Sequence, residues 1–225
     1  MTEVLKAQKP NFAKCEKAAR KLLLKQNSAA LPVDIQKLRF DVDVCFDTFQ
    51  NYSAITGIPV SLLLPSEAFR DGYTVKSEKG FLVLTDVLLS REVGVHRSLN
   101  VSGNVSGNIH QKRLNWTLAH EVGHITLEHE SDGEVQEYEA DLFAGELLMP
   151  EPVLLELERI GGGLNEIEIS RIFGVSESAA ASKLARMRRK QFYSVCLHRD
   201  ILEKYRVLID GYVRGKPARK RSVLL

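Results

Sequence analysis

The sequence predicts an α+β fold, mainly helical, with one small β-sheet. Three observations predict it. Apolar residues recur at helical spacing in most segments from Ala13 to Met187. A single pair of β-rich arms, "YTVKSEKGFLVLTD", spans residues 73–86. Glycine and proline then punctuate the chain between the periodic segments.

Taken in order, residues 13–26, "AKCEKAARKLLLKQ", predict a short amphipathic helix, and "LPVDIQKLRF" begins a second one with Pro32 and Asp34 in its first turn. The β-rich arms read as a hairpin with a polar turn at Glu78 to Gly80. "LNVSGNVSGNIH" holds VSGN twice in tandem, too few copies for a repeat architecture, and its Gly, Ser and Asn content predicts a flexible loop. In "QKRLNWTLAHEVGHITLEHE", Leu114, Leu118, Val122 and Ile125 recur at helical spacing and give that helix a core face. After "SDGE", "VQEYEADLFAGELLMP" resumes the helical period and stops at Pro150, and "EPVLLELERI" forms a further helix ended by glycines 161–163. "NEIEISRIFGVSESAAASKLARMRRK" shows two helix patterns around Gly174, with Ser176 placed to cap the second, a helix-turn-helix-like arrangement. The expected organisation is an N-terminal helix (1–30), a catalytic domain with the small sheet (31–160), and a helix-turn-helix-like segment with a basic C-terminal extension (164–225).

The chain has 225 residues, 44% of them apolar, enough to bury a core. Its apolar runs are too short or interrupted to cross a bilayer, and the lysine-bearing N-terminus has no continuous signal core, so a cytoplasmic protein with no membrane partner is expected. Cys15, Cys45 and Cys196 are odd in number and widely spaced, as reduced thiols would be, and the sequons at Asn51, Asn100, Asn104 and Asn115 then carry no glycan. The net charge of +2 hides an asymmetry: residues 181–225 hold 13 Lys/Arg against 3 Asp/Glu. Such a segment suits nucleic acid, an acidic protein surface or simple solvation.

"AHEVGHITLEHE", residues 119–130, carries the chemistry. His120 and His124 are four apart and project from one side of a helix, so both reach one ion. Glu121 between them completes H-E-x-x-H, in which two imidazoles hold zinc and the glutamate serves as general base. His129 does not fit the spacing of a third histidine ligand, and Glu128 would put three ligands on one straight helix. The following helix offers better donors. Glu137 shares a face with Ala140, Asp141 and Ala144, and those small residues allow close helix approach; Asp141, one turn on, would orient a ligand histidine. Glu139 is the second choice for third ligand.

"RLNWTLAHEVGHITLEH" followed by "EYEADLFAGELLMP" resembles the signature of the ImmA/IrrE family of metallo-endopeptidases, over roughly residues 31–190. The resemblance implies a zincin-like, gluzincin-type peptidase fold, one Zn2+ per chain on His120, His124 and Glu137, and Glu121 as catalytic base. It also implies a protein substrate, a helix-turn-helix repressor encoded in a phage, mobile element or stress locus. The VSGN-rich stretch and the basic extension beyond about residue 195 have no counterpart in that signature.

An endopeptidase needs a donor to the developing oxyanion, for which Tyr73, His96 and Tyr138 are the candidates. The strand "GFLVLTD" offers an edge for an extended substrate. The alternative function is a regulator that keeps the zinc-site fold and binds DNA or a partner through its C-terminal segment. Arg186, Arg188, Arg189 and Lys190 would contact phosphates or that partner. Ser178, Ala179, Ala180, Ala181 and Ser182 are poor readers of base edges, and a pure binder has no need of Glu121.

Overall fold

The computed structural model describes residues 9–63, 72–86, 105–131, 133–189 and 198–215. Helix α1 (Phe12–Lys25) starts at Asn11, whose side chain accepts from the Lys14 amide at 3.0 Å, and buries Cys15, Ala19, Leu22 and Leu23 on one face. The helix expected from "LPVDIQKLRF" is only a 3-10 turn, Ile35–Lys37, capped by Asp34. Tertiary contact overrides local propensity there. The Val33 carbonyl, which a helix would use internally, accepts instead from Asn115 Nδ2 at 2.8 Å, and the chain leaves Leu38 in extended geometry. Asn115 is thereby buried and is no glycan acceptor.

Strand β1 (Val44–Thr48) follows, then helices α2 (Phe49–Thr56) and α3 (Val60–Leu63). The expected hairpin is present as β2 (Gly72–Ser77) and β3 (Gly80–Thr85), paired antiparallel. β1 pairs with β3 in parallel, giving the order β1-β3-β2. β3 is therefore the central strand. The edge expected of "GFLVLTD" is occupied on both sides, and the outer strand beside the long helix is β2.

Helix α4 (Val105–Leu127) begins with the second VSGN copy, so Val105–Asn108 are helical and not loop; the first copy lies outside the described residues. α5 (Glu134–Leu148), α6 (Glu151–Gly161), α7 (Glu166–Phe173) and α8 (Glu177–Arg189) match the expected helices. Asn165 and Glu168 form a reciprocal capping box on α7. Gly174 closes α7 with φ 66°, and Ser176 caps α8 by accepting from the Ala179 amide at 3.1 Å.

The segment read as a basic extension contains a further helix, α9 (Arg199–Gly215). Its Ile201, Tyr205 and Ile209, four apart, are buried, and the helix packs on α6 and α1. Lys204 donates to the carbonyls of Leu24 and Gln26, tying α9 to the end of α1. One apolar cluster runs without a break across glycines 161–163, from Val122, Phe143 and Leu147 to Phe173, Leu184 and Ile201. Among the described residues no helix is long and apolar enough to cross a membrane.

A buried ion network crosses the same boundary. Glu146 of α5, fully buried, accepts from Arg20 Nε of α1 at 2.9 Å and from Lys183 Nζ of α8 at 2.6 Å. The Glu151 amide, at the start of α6, donates to it as well, at 3.2 Å. Arg20 also reaches Glu16 at 3.0 Å and the His198 ring at 2.8 Å. Burial and the Arg20 charge push the His198 pKa down, which favours the neutral ring that can accept from the guanidinium. Glu146→Ala should destabilise the fold by about 3–5 kcal/mol, because Arg20 and Lys183 lose the carboxylate they share in a buried site. Urea unfolding measures this, and a loss below about 1 kcal/mol would show that the cations find other acceptors.

Candidate metal centre

The centre is built on two helices. α4 presents His120 and His124 one turn apart, and α5 lies close enough for Glu137 to reach both. The approach depends on small residues. A Cβ at Gly123 would lie 3.1 Å from Ala140 Cα and 3.2 Å from Phe143 Cδ1, so even alanine there would press the helices apart.

His120 Nε2 and His124 Nε2 stand 3.1 Å apart; Glu137 Oε2 is 3.3 Å from the first and Oε1 is 3.7 Å from the second. Three lone-pair atoms converging on one point repel one another unless a cation lies between them. Tetrahedral zinc, with ligands at about 2.0–2.1 Å, puts its donor atoms about 3.3–3.4 Å apart, close to these separations. Two imidazole nitrogens and one carboxylate therefore fit zinc in both chemistry and spacing.

The outward nitrogens are held. His120 Nδ1 is 2.9 Å from Asp141 Oδ1, so Nδ1–H donates there and leaves the Nε2 lone pair facing the centre. His124 Nδ1 lies 3.1 Å from His129 Nδ1, and His129 Nε2 lies 3.1 Å from Glu139 Oε2. If Nε2 of His124 is to face an ion unprotonated, its Nδ1–H must donate to His129, and His129 Nε2–H must donate to Glu139. Glu139 in turn accepts from the Asn11 amide at 2.6 Å, at the start of α1. Glu139 is thus turned away from the metal cluster into a supporting chain. His129, no candidate for direct ligation by its spacing, is the link that orients His124. The sequence holds no signal for this role, which depends on an α1 residue more than 100 positions away.

Burial lowers the His120 pKa, but the hydrogen bond it donates to Asp141 and the charges of Asp141, Glu121 and Glu137 outweigh it, and the net shift is upward. In the metal-free protein a proton therefore competes for His120 at higher pH than for free imidazole, and metal affinity falls as pH drops through that range. Burial, then the Glu139 charge, push the thiol of Cys15 on α1 up to about 11, so in the metal-free protein it stays protonated at neutral pH. Cys15 and Cys45 are free thiols.

Glu121 is buried beside the cluster, and its Oε2 accepts from Thr74 Oγ1 of β2 at 2.6 Å. β2 comes this close because residue 72 is glycine: a Cβ there would lie 2.6 Å from Thr117 Cγ2 and 3.1 Å from Glu121 Cγ. Neither Gly72 nor Thr74 was legible in the sequence. Their facing α4 turns Tyr73 to the opposite side of the strand, which removes it as an oxyanion donor. His96 and Lys190 lie outside the described residues. Tyr138 is half exposed, edge-on to Phe12 at 5.9 Å, and borders a cleft beside the cluster. Arg186 and Arg189 line that cleft, whereas Arg188 is exposed outside it.

Residues 104–185 match the peptidase family described as the IrrE N-terminal-like domain. Over these residues the chain is similar to that peptidase family, in keeping with the resemblance its two helix motifs carry. The match spans α4 to most of α8, and so includes the cluster, Glu121 and the helix pair after the glycine run. No curated protein matches the chain.

The purified chain should hold about one zinc ion, lost stoichiometrically in His124→Ala, as metal analysis will show. Glu137→Ala should weaken zinc more than Glu139→Ala, and His129→Ala or Asp141→Asn should each cost about 10–100-fold in zinc affinity. Equal zinc in Glu137→Ala and wild type would remove Glu137 as third ligand.

Proposed function

We propose that the chain is a zinc-dependent endopeptidase of narrow specificity whose substrate is a helix-turn-helix repressor. The observation that carries this reading is the convergence of His120, His124 and Glu137 with the Glu121 carboxylate alongside, held by Thr74. His120, His124 and Glu137 would hold the ion. Zinc bound to three protein groups supplies a Lewis acid and lowers the pKa of water at the open position to about 7. Glu121 takes the proton of the attacking water and later delivers it to the leaving amine. Thr74 fixes one carboxylate oxygen of Glu121 by donating to it. Tyr138, one residue beyond Glu137, and His96, outside the described residues, are the candidate donors to the oxyanion, and β2 is the strand along which extended substrate backbone would lie. The repressor as substrate rests on the family resemblance.

Glu121→Gln should keep zinc and fold but lose proteolysis of a candidate repressor by at least about a hundredfold, since the amide cannot accept the proton. If Glu121→Gln relieves repression in cells as well as the wild type does, the protein acts by binding. Thr74→Val should retain zinc and lower the cleavage rate several-fold, as the unanchored carboxylate samples other rotamers. An unchanged rate would assign the orientation of Glu121 to other contacts.

A further inference from the structure

We propose that the cleft beside the metal cluster selects a substrate segment in which a large apolar side chain is flanked by acidic residues. This rests on the peptidase reading and adds the substrate's chemistry to it. The cleft, about 900 Å³, lies between α4, α5 and one face of α8 along its whole length. It borders the centre, because its wall includes Thr117, which packs at β2, and Asp141, which holds His120.

Trp116, Leu142 and Met149 line its apolar part, and Gly145 widens it. A Cβ at Gly145 would stand 3.8 Å from both the Trp116 indole and the Arg186 guanidinium, so these two groups close over the same bare stretch of α5. An apolar side chain entering there is covered by an indole on one side and meets a cation on the other.

Charge complementarity fixes the flanks. Lys112, Arg113, Arg186 and Arg189 line the cleft against Asp141 and Glu177, and Asp141 is already engaged by His120. Arg186 Nε is buried with no hydrogen-bond partner, and among the described residues neither Arg186 nor Arg189 has an ion-pair partner. A substrate carboxylate would satisfy the Arg186 guanidinium in a partly desolvated site, where such pairs discriminate strongly. The wall is preformed, since the Lys183–Glu146 pair pins α8 to α5. A peptide suits the cleft better than nucleic acid. Its concave floor is apolar, and α8 presents Ser178, Ala179 and Ser182 to it, side chains that do not read base edges.

The test uses the full-length, zinc-loaded Glu121→Gln chain and two synthetic peptides, each with a central Leu-Phe pair, one flanked by glutamates and the other by lysines. Fluorescence anisotropy should show the acidic peptide binding at least about tenfold more tightly, with Arg186→Glu abolishing or reversing the preference. Arg189→Glu, at an exposed position that folding does not need, should reduce it in the same direction. Equal binding of the two peptides, or a preference that survives both variants, overturns the proposal. So does a 20-base-pair DNA duplex that outcompetes the acidic peptide and is lost in the same variants, which would mark a nucleic-acid site. The two readings fail separately. Acid preference without cleavage by the chain with Glu121 intact keeps the cleft and sinks the peptidase; cleavage with no charge preference does the reverse.

Discussion

The close approach of α4 and α5 at Gly123 and Ala140 is the constraint on which the centre depends. This three-ligand site takes its third donor from outside the H-E-x-x-H helix, because three ligands in a row on one straight helix fit a tetrahedral ion poorly. Glu137 reaches the two histidines only if its helix lies almost in backbone contact with theirs. Phe143, fully buried beside Gly123, then fixes the rotation of α5 that points Glu137 inward and Glu139 toward α1. The packing of the core and the geometry of the site are the same event.

That packing extends past the metal centre. Glu146 lies one helical face further along α5 and gathers cations from α1 and α8, while its oxygens also accept from the start of α6. A buried pair of this kind adds little net stability over an apolar replacement, but it permits only one arrangement of the helices that supply it. The consequence here is registry. Lys183 sets the depth of α8 against α5, and with it the position of Arg186, three residues along the same helix at the cleft wall.

What the sequence disclosed follows the range of each interaction. His120, Glu121 and His124 were legible because their relation is fixed by one helical turn. Glu137 over Glu139 was legible because Ala140 and Ala144 mark the face on which helices approach. Thr74 and Gly72 were not, since nothing local signals that β2 will pack against α4 some 47 residues later. β1 and α9 are different, because local signals existed. Val42, Val44 and Phe46 alternate with Asp43, Cys45 and Asp47, and Ile201, Tyr205 and Ile209 recur four apart, but aspartates in the first and net charge in the second obscured the pattern. Missing β1 had a further consequence: without it β3 looks like an edge strand, and with it β3 is the centre of the sheet.

The supporting chain from His124 through His129 and Glu139 to Asn11 links the metal to the N-terminal helix, and linkage works in both directions. An ion bound at His124 Nε2 polarises the ring, strengthens the Nδ1–H donor to His129 and so favours the tautomer that bonds Glu139. Glu139 accepts the amide at the start of α1, and Lys14 of that helix donates to the Leu127 carbonyl at the end of α4, at 3.1 Å. α1 therefore closes both ends of the arrangement that carries the histidines. Because the unfolded chain has no such site, zinc held there would stabilise the native state by mass action, by roughly 2.7 kcal/mol when free metal stands at a hundred times its dissociation constant. Part of that stabilisation would pass to α1 through the chain of hydrogen bonds, and by the same linkage the docking of α1 on α5 would raise the affinity of the centre for an ion.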